Sequence, residues 1–152
     1  MNSKWCVERL DRCARYPVHD RGEAPNSAAA VLTTSTLARL NDLRPESRFR
    51  ERRFRMNVII KTERPGFVEN DWVGHGLVIG DDTRLNVALL DPRCVMTTLA
   101  QDDLPRDTDI LRTLVHHNKV QVGDLGRFPC AGVYAVAATP GRVRTGDRVI
   151  LT

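Results

Sequence analysis

The spacing of apolar and polar residues along the chain predicts a domain made mostly of β-strands. Short runs of apolar and β-branched residues, each bounded by glycine, proline or aspartate, are typical of strands. Such runs cover residues 28–33, 56–60, 76–79, 85–90, 130–138 and 149–151. A proline follows the run at 85–90 closely, and proline cannot donate to a strand ladder, so we expect that strand to end there.

Two segments instead have helical spacing, with apolar residues three or four positions apart. The first follows a hydroxyl cap at Thr34 or Ser35 and ends at Pro45. The second begins at Asp107 or Thr108, again with a capping side chain. The predicted fold class is therefore mostly β with two short helices, an α+β arrangement.

The N-terminal segment, residues 1–26, has no clear strand or helix period. We expect it to be irregular and to precede a single domain over residues 27–152. Within it, one face of a short helix is possible, which Pro17 would end. That face would consist of Trp5, Cys6, Val7, Leu10, Cys13 and Ala14.

Length and composition indicate a globular protein outside the membrane. A chain of 152 residues is long enough for one domain with its own core. Its 41% hydrophobic and 28% charged residues are typical of soluble proteins, and no apolar run is long enough to span a membrane. The N-terminus lacks the apolar core of a secretory signal, so we expect a cytoplasmic protein. Its four cysteines form no Cys-x-x-Cys pair and are expected to be reduced thiols.

The charge is mildly basic, with a net charge of +4 and a pI of about 9.2. Nearly all the positive charge is arginine, because Lys4, Lys61 and Lys119 are the only lysines. Arginine suits forked recognition of phosphates and carboxylates, which leaves nucleic acid open as a partner. Aromatic residues make up only 5% of the chain, however, and offer few surfaces on which bases could stack. A nucleic-acid partner is therefore not expected.

The most cationic segment, residues 48–55, runs into the predicted strand at 56–60. A period of two places Arg53, Arg55 and Asn57 on the face opposite the apolar side chains. This face is either a solvated basic surface or a site for an anionic ligand. In the second case the Arg55 guanidinium and the Asn57 amide would bind the anion together.

Residues 91–98 combine a guanidinium, a thiol and two hydroxyls directly after the strand at 85–90. Arg93 beside Cys94 favours the thiolate, which is the nucleophilic and metal-binding form of cysteine. A thiolate is a soft ligand, suited to a transition metal. A single cysteine among apolar residues is also commonly a small buried side chain, and that alternative stays open here.

The sequence Arg-Cys-Val-Met-Thr-Thr at residues 93–98 resembles a signature of the MOSC family, the domain named for the C-terminal part of molybdenum cofactor sulfurase. Further segments resemble family elements in the same order between about Val31 and Leu151. They are residues 31–40, 53–59, 71–80 and 132–149, and within the second Met56 stands where the family usually has proline. The resemblance implies a MOSC-type, β-barrel-like domain.

The resemblance also implies a site for the molybdenum cofactor (molybdopterin). It makes Cys94 the metal ligand and catalytic residue, and Arg55, Asn57, Arg93 and Tyr134 the residues that contact the cofactor. The implied activity is that of an oxidoreductase, similar to the amidoxime-reducing enzymes. Such an enzyme would reduce a small N-hydroxylated or N-oxide compound with electrons from a donor protein. Pyridoxal phosphate binding is a further label at the level of the family.

Two alternatives remain at this stage. Cys94 could carry a persulfide in a sulfur-transfer domain, or the chain could be a truncated, non-catalytic basic binding module. The second arises because longer family members have an N-terminal barrel half that contributes basic residues to the cofactor's phosphate. Only about thirty residues precede the match here, too few for such a subdomain.

Overall fold

The computed structural model describes residues 5–10 and 28–152 of the chain. These residues form eight strands, β1 Cys6–Leu10, β2 Ala28–Thr33, β3 Val58–Lys61, β4 Gly76–Ile79, β5 Thr83–Pro92, β6 Lys119–Gln121, β7 Arg127–Thr139 and β8 Val149–Leu151. The helices are α1 Thr34–Leu43, α2 Glu51–Phe54 and α3 Asp109–His117. Single 3-10 turns cover Val68–Trp72, Val95–Thr98 and Gly123–Leu125.

All eight strands belong to one sheet, in the order β1-β3-β2-β7-β5-β4-β8, with β6 paired to the start of β7. The long antiparallel pair of β5 and β7 is its centre, and irregularities in its register allow the two strands to bend. The β2 strand runs antiparallel to β7 and parallel to β3. Both faces of β3 are buried, which explains its unbroken run of Val58, Ile59 and Ile60.

The two ends of this order meet, so the sheet is nearly closed into a barrel. On one side of β1, Val7 N donates to Asp147 O at 2.8 Å and Gly146 N donates to Val7 O at 2.8 Å. Val149 N of β8 donates to Trp5 O at 2.9 Å, and the Trp5 and Trp72 rings stack with centroids 5.2 Å apart. Closure satisfies backbone groups that a free edge would expose.

Two apolar cores lie on either side of the sheet. The first fills the barrel and includes Val7, Trp72, Leu85 and Val149. The second lies outside it, where α1 and α3 cover one face of β2, β3 and β7. These helices bury Leu40, Ile110 and Leu114, in line with their predicted apolar faces.

The mostly β fold class is confirmed, and a third helix, α2, adds a single turn to the two that were predicted. The expectation of an irregular or helical stretch is wrong for residues 6–10, because these residues form β1. Cys13, Ala14 and Pro17 lie outside the described residues. The alternation of apolar and polar residues in β1 is weak over five residues, so the local sequence does not indicate a strand. The strand forms by pairing with β3, which lies about fifty positions away. In the described part of the chain, none of the helices has the length and apolar character that crossing a membrane requires.

Candidate functional site

Cys94 lies on an exposed turn just beyond the end of β5. Its carbonyl oxygen accepts hydrogen bonds from Thr97 N at 3.2 Å and Thr97 Oγ1 at 3.0 Å, which close the 3-10 turn Val95–Thr98. The Cys94 side chain is exposed, while Thr97 and Thr98 are buried beneath it. Val95 and Met96 are 58% and 41% exposed, so apolar side chains surround the thiol at the surface.

Arg93, the residue before Cys94, points into the protein. Its Nε and one terminal nitrogen donate to Ala131 O at 2.9 and 2.8 Å, and its other terminal nitrogen donates to Phe54 O at 2.9 Å. The guanidinium also contacts Met56 Sδ at 2.8 Å and lies over the Phe54 ring. Its donors are thus used to join the Cys94 turn to β7 and to the segment after α2.

The Asp91 carboxylate is buried and forms an ion pair with Arg93. Burial raises the pKa of Asp91 to about 6, although the Arg93 charge and the Tyr134 hydroxyl favour the ionised form. Burial and the Asp91 charge raise the pKa of Tyr134 as well. Asp91 therefore titrates close to neutral pH, within a small cluster at the base of the turn.

Asn57 and Tyr134 lie on either side of Ala30 in β2. Ala30 N donates to Asn57 Oδ1 at 2.8 Å and Asn57 N donates to Ala30 O at 2.9 Å. Tyr134 of β7 stands opposite Ala30 in the neighbouring ladder. The side-chain oxygen of Asn57 thus extends the hydrogen bonding beside β2. The side-chain NH2 group of Asn57 is left as a donor.

Gly132 of β7 allows the Met56 side chain and the β2 backbone to lie close to the β7 backbone. Its φ of +87° lies in the left-handed region, and a Cβ there would lie 2.5 Å from Val31 O and 2.7 Å from Met56 Cε. Met56 in turn contacts Arg93 on one side and lines a surface groove on the other.

That groove has a volume of about 380 Å³ and is predominantly basic at its rim. It is lined by Arg9, Leu10, Glu51, Arg52, Arg55, Met56 and Ile59. Arg55 is exposed and has a φ of +50°, because it ends α2 in the left-handed conformation. The prediction that Arg53, Arg55 and Asn57 share one strand face is therefore wrong, since the strand starts only at Val58.

Arg53 is a buried residue bonded to the Cys94 turn, and the sequence pattern did not identify it. It is 1% exposed, and its donors are all directed at backbone carbonyl oxygens. Nε donates to Arg48 O at 2.9 Å, and the terminal nitrogens donate to Thr97 O and Leu99 O at 3.3 Å and to Pro105 O at 2.8 Å. Strand periodicity placed this side chain on a solvated face, and no local signal marks it as buried.

The structure brings Cys94, Arg93, Asp91 and Tyr134 together. Cys94 follows Arg93 in the chain, Arg93 forms the ion pair with Asp91, and the Asp91 charge helps to raise the pKa of Tyr134. Asn57 joins this group across Ala30, while Arg55 lies in the neighbouring groove. Their roles toward a cofactor remain predictions.

The basic segment at 48–55 is only partly available to an external anion. Arg53 is buried, and Arg52 forms ion pairs with Asp102 at 3.4 Å and Asp103 at 2.5 Å. Arg48, Arg50 and Arg55 are exposed. This distribution weakens the alternative of a continuous surface for nucleic-acid phosphates.

Comparison with known proteins gives two matches. The family model of the MOSC domain matches residues 18–150. Human mitochondrial amidoxime-reducing component 1 is 30% identical over 125 residues, which are 80% of this chain and 36% of the relative. The aligned region therefore spans little more than a third of that relative's length.

Proposed function

This chain belongs to the MOSC domain family, and we propose that it binds the molybdenum cofactor through Cys94 and acts as an oxidoreductase. The observation that carries the proposal is the exposed Cys94 thiol, on a turn held by buried contacts. Its neighbour Arg93 contacts Met56, which lines the groove that also contains Arg55. The relative's name describes amidoxime reduction. On that likeness we infer that the substrate is a small N-hydroxylated or N-oxide compound.

The residues present fit such a cofactor. A surface thiolate is a soft ligand for a transition metal. A groove of about 380 Å³ is within the range of small-molecule sites. Of its three arginines, Arg9 is paired with Glu51 and Arg52 with Asp103, so Arg55 is the one that suits the phosphate of a pterin cofactor. Cys94 would hold the metal, Arg55 would bind the anionic part, and the Asn57 amide and Tyr134 would line the pocket.

When bound, the cofactor supplies the two-electron change and the oxygen-atom transfer, and a donor protein supplies the electrons. The chain's own residues have other tasks. Reduction of an N–OH group to N–H with release of water takes up two electrons and two protons. Asp91 and Tyr134 hold exchangeable protons in the cluster with Cys94, and the Asp91 pKa of about 6 suits proton transfer near neutral pH. Arg93 orients the turn from beneath.

Replacement of the thiol tests the proposal directly. In a host that makes the cofactor, Cys94→Ser should retain less than about a tenth of the wild-type molybdenum, because a hydroxyl is a poor substitute for a soft thiolate. Elemental analysis measures the metal, and circular dichroism checks the fold. Cys6→Ser is the matched control, since Cys6 lies on β1. Equal molybdenum in wild type and Cys94→Ser would contradict the proposal.

The exposure of Cys94 also favours a second candidate, a persulfide carrier that hands sulfur to an acceptor. In that case the wild-type protein would release cyanide-labile sulfur from Cys94 and would contain no molybdenum. Cys94→Ser would abolish the labile sulfur, whereas Cys6→Ser would not.

A further inference from the structure

Two buried arginines join the segments on either side of Cys94. Arg93, directly before the cysteine, donates to the carbonyl oxygen of Phe54. Arg53, directly before Phe54, donates to the carbonyl oxygens of Thr97 and Leu99, beyond the cysteine. Arg93 thus binds the backbone next to Arg53, and Arg53 binds the backbone that follows Cys94. We call this pair of contacts the arginine clasp.

We propose that Arg53 is a positioning residue, which acts through the arginine clasp to hold Cys94 at a fixed place on the barrel. The hydrogen bonds of Arg53 do not depend on any cofactor. The expected effect of Arg53 on metal binding rests on the proposed function.

The clasp is specific to a guanidinium in the Arg53 position. Its three nitrogens reach four carbonyl oxygens, which lie in three separate parts of the chain, at Arg48, at Thr97 and Leu99, and at Pro105. A buried cation with unsatisfied donors is costly, so a displacement of the turn would be opposed by the loss of these bonds. A lysine has a single ammonium centre and cannot reproduce the fork.

The turn depends on this clasp because its own side chains contribute little apolar burial. Val95, Met96 and Leu99 all face solvent, with more than a third of each side chain exposed. The backbone bonds within the segment are local, from Thr97 N to Cys94 O at 3.2 Å and from Leu99 N to Met96 O at 3.4 Å. Leu104 is the next buried apolar side chain after the turn. Arg53 therefore links the backbone of the turn to α2, in addition to the burial of the Thr97 and Thr98 side chains.

Hydrogen exchange tests the clasp without any metal. In Arg53→Met, amides in peptides covering residues 94–107 should exchange at least about tenfold faster than in wild type, because the carbonyl anchors are lost. Peptides from β2 and β7 should be unchanged. Arg53→Lys should give a smaller increase in the same peptides, and it serves as the test if Arg53→Met does not fold. Arg50→Met, an exposed arginine one turn away, is the control and should match wild type.

Molybdenum content of the same proteins, produced in a cofactor-competent host, tests positioning. We expect Arg53→Met to retain less than about a tenth of the wild-type metal, Arg53→Lys an intermediate amount, and Arg50→Met the full amount. Faster exchange in 94–107 with unchanged molybdenum would overturn the positioning role. Unchanged exchange, or an equal increase over the whole chain, would overturn the clasp. If wild type holds no molybdenum, the proposed function fails, and the exchange result still decides whether the clasp exists.

Discussion

At the scale of single residues, the cluster below Cys94 places ionisable groups where water is excluded. Asp91 is 1% exposed and is paired with Arg93. The pKa of Arg93 is lowered, because the effect of burial exceeds the opposing effect of the Asp91 charge. For the Asp91 carboxylate, the free-energy penalty of burial exceeds the favourable interaction with Arg93. The pKa of Asp91 therefore rises rather than falls. The thiol of Cys130 is also nearby, and burial raises its pKa to about 11. Cys130 is thus a structural thiol.

The raised pKa of Asp91 predicts a pH-dependent stability. The folded value of about 6 exceeds the ordinary value of 3.8, so the folded state binds the proton more tightly. Protonation of Asp91 stabilises the folded state. This stabilisation is fully present below about pH 4 and is lost as the pH rises through about 6. Wild type should therefore lose on the order of 3 kcal/mol relative to Asp91→Asn over this range.

Urea unfolding of both proteins from pH 4 to pH 7 measures this change. Glu69 is fully buried, and burial raises its pKa too, but it is present in both proteins and cancels in the comparison. A stability difference between wild type and Asp91→Asn that is the same at every pH would show that Asp91 does not titrate in this range.

At the scale of elements, the start of α1 depends on a buried hydroxyl and carboxylate network. Thr33 Oγ1 accepts from Thr36 N at 3.1 Å, which caps the helix, and donates to Glu69 at 2.9 Å. Thr36 Oγ1 donates to the same carboxylate at 2.7 Å. The 3-10 turn that carries Glu69 is thereby fixed to the end of β2.

Thr33→Val should destabilise the protein by about 2 kcal/mol, because it removes a helix cap and a donor to a buried carboxylate at nearly constant volume. Thr108→Val is the matched control. Thr108 occupies the same position at the start of α3, but its side chain makes no capping bond, so the change should stay within about 0.5 kcal/mol. Equal effects in chemical unfolding would mean that the Thr33 hydroxyl does not stabilise α1.

Elements with a strong local pattern could be predicted from the sequence. Ala28–Thr33, Gly76–Ile79 and Val149–Leu151 are strands as expected. The helix caps were approximate, since Thr33 rather than Thr34 or Ser35 caps α1, and the Asp107 carboxylate bonds the first amide of α3.

The elements that were not predicted are those decided by distant contacts. The β1 strand is fixed by pairing with β3 and by the seam with residues 146–149. Helix α2 forms where the sequence predicted a cationic segment leading into a strand. Arg53 is buried there because three distant carbonyl oxygens and the nearby Arg48 O accept its hydrogen bonds. The sequence predicted Cys94 as a site residue. The inward direction of the Arg93 side chain could not be predicted, because it depends on the distant carbonyl oxygens of Ala131 and Phe54.

At the scale of the whole molecule, closure of the barrel joins the beginning and the end of the described chain. Trp5 and Trp72, the two tryptophans of the sequence, stack beside this seam. Val7, whose backbone bonds close the seam, has its side chain buried in the barrel core. The N-terminal strand is thus part of the barrel and not an appendage to it.

A double-mutant cycle between Trp5→Leu and Trp72→Leu should give a coupling energy of about 1 kcal/mol, because stacked aromatic rings contribute beyond their buried area. Urea unfolding followed by circular dichroism measures the cycle without relying on tryptophan fluorescence. Trp5→Leu combined with Leu114→Ala is the control, because Leu114 belongs to the outer core, and these two changes should add within about 0.5 kcal/mol. Additive effects for the two tryptophans would argue against a seam held by stacking.

The arginine clasp recognises peptide oxygens, which every amino acid supplies, and not the side chains of the residues it holds. Val95, Met96 and Leu99 are consequently under no anchoring constraint, and they could be exchanged for larger, smaller or polar groups while the sulfur stays where it is. The position of the exposed Cys94 thiol is therefore set separately from the shape of the apolar surface around it. A library randomised at these three positions would redesign the fit to a guest molecule with the fold and the thiol left intact.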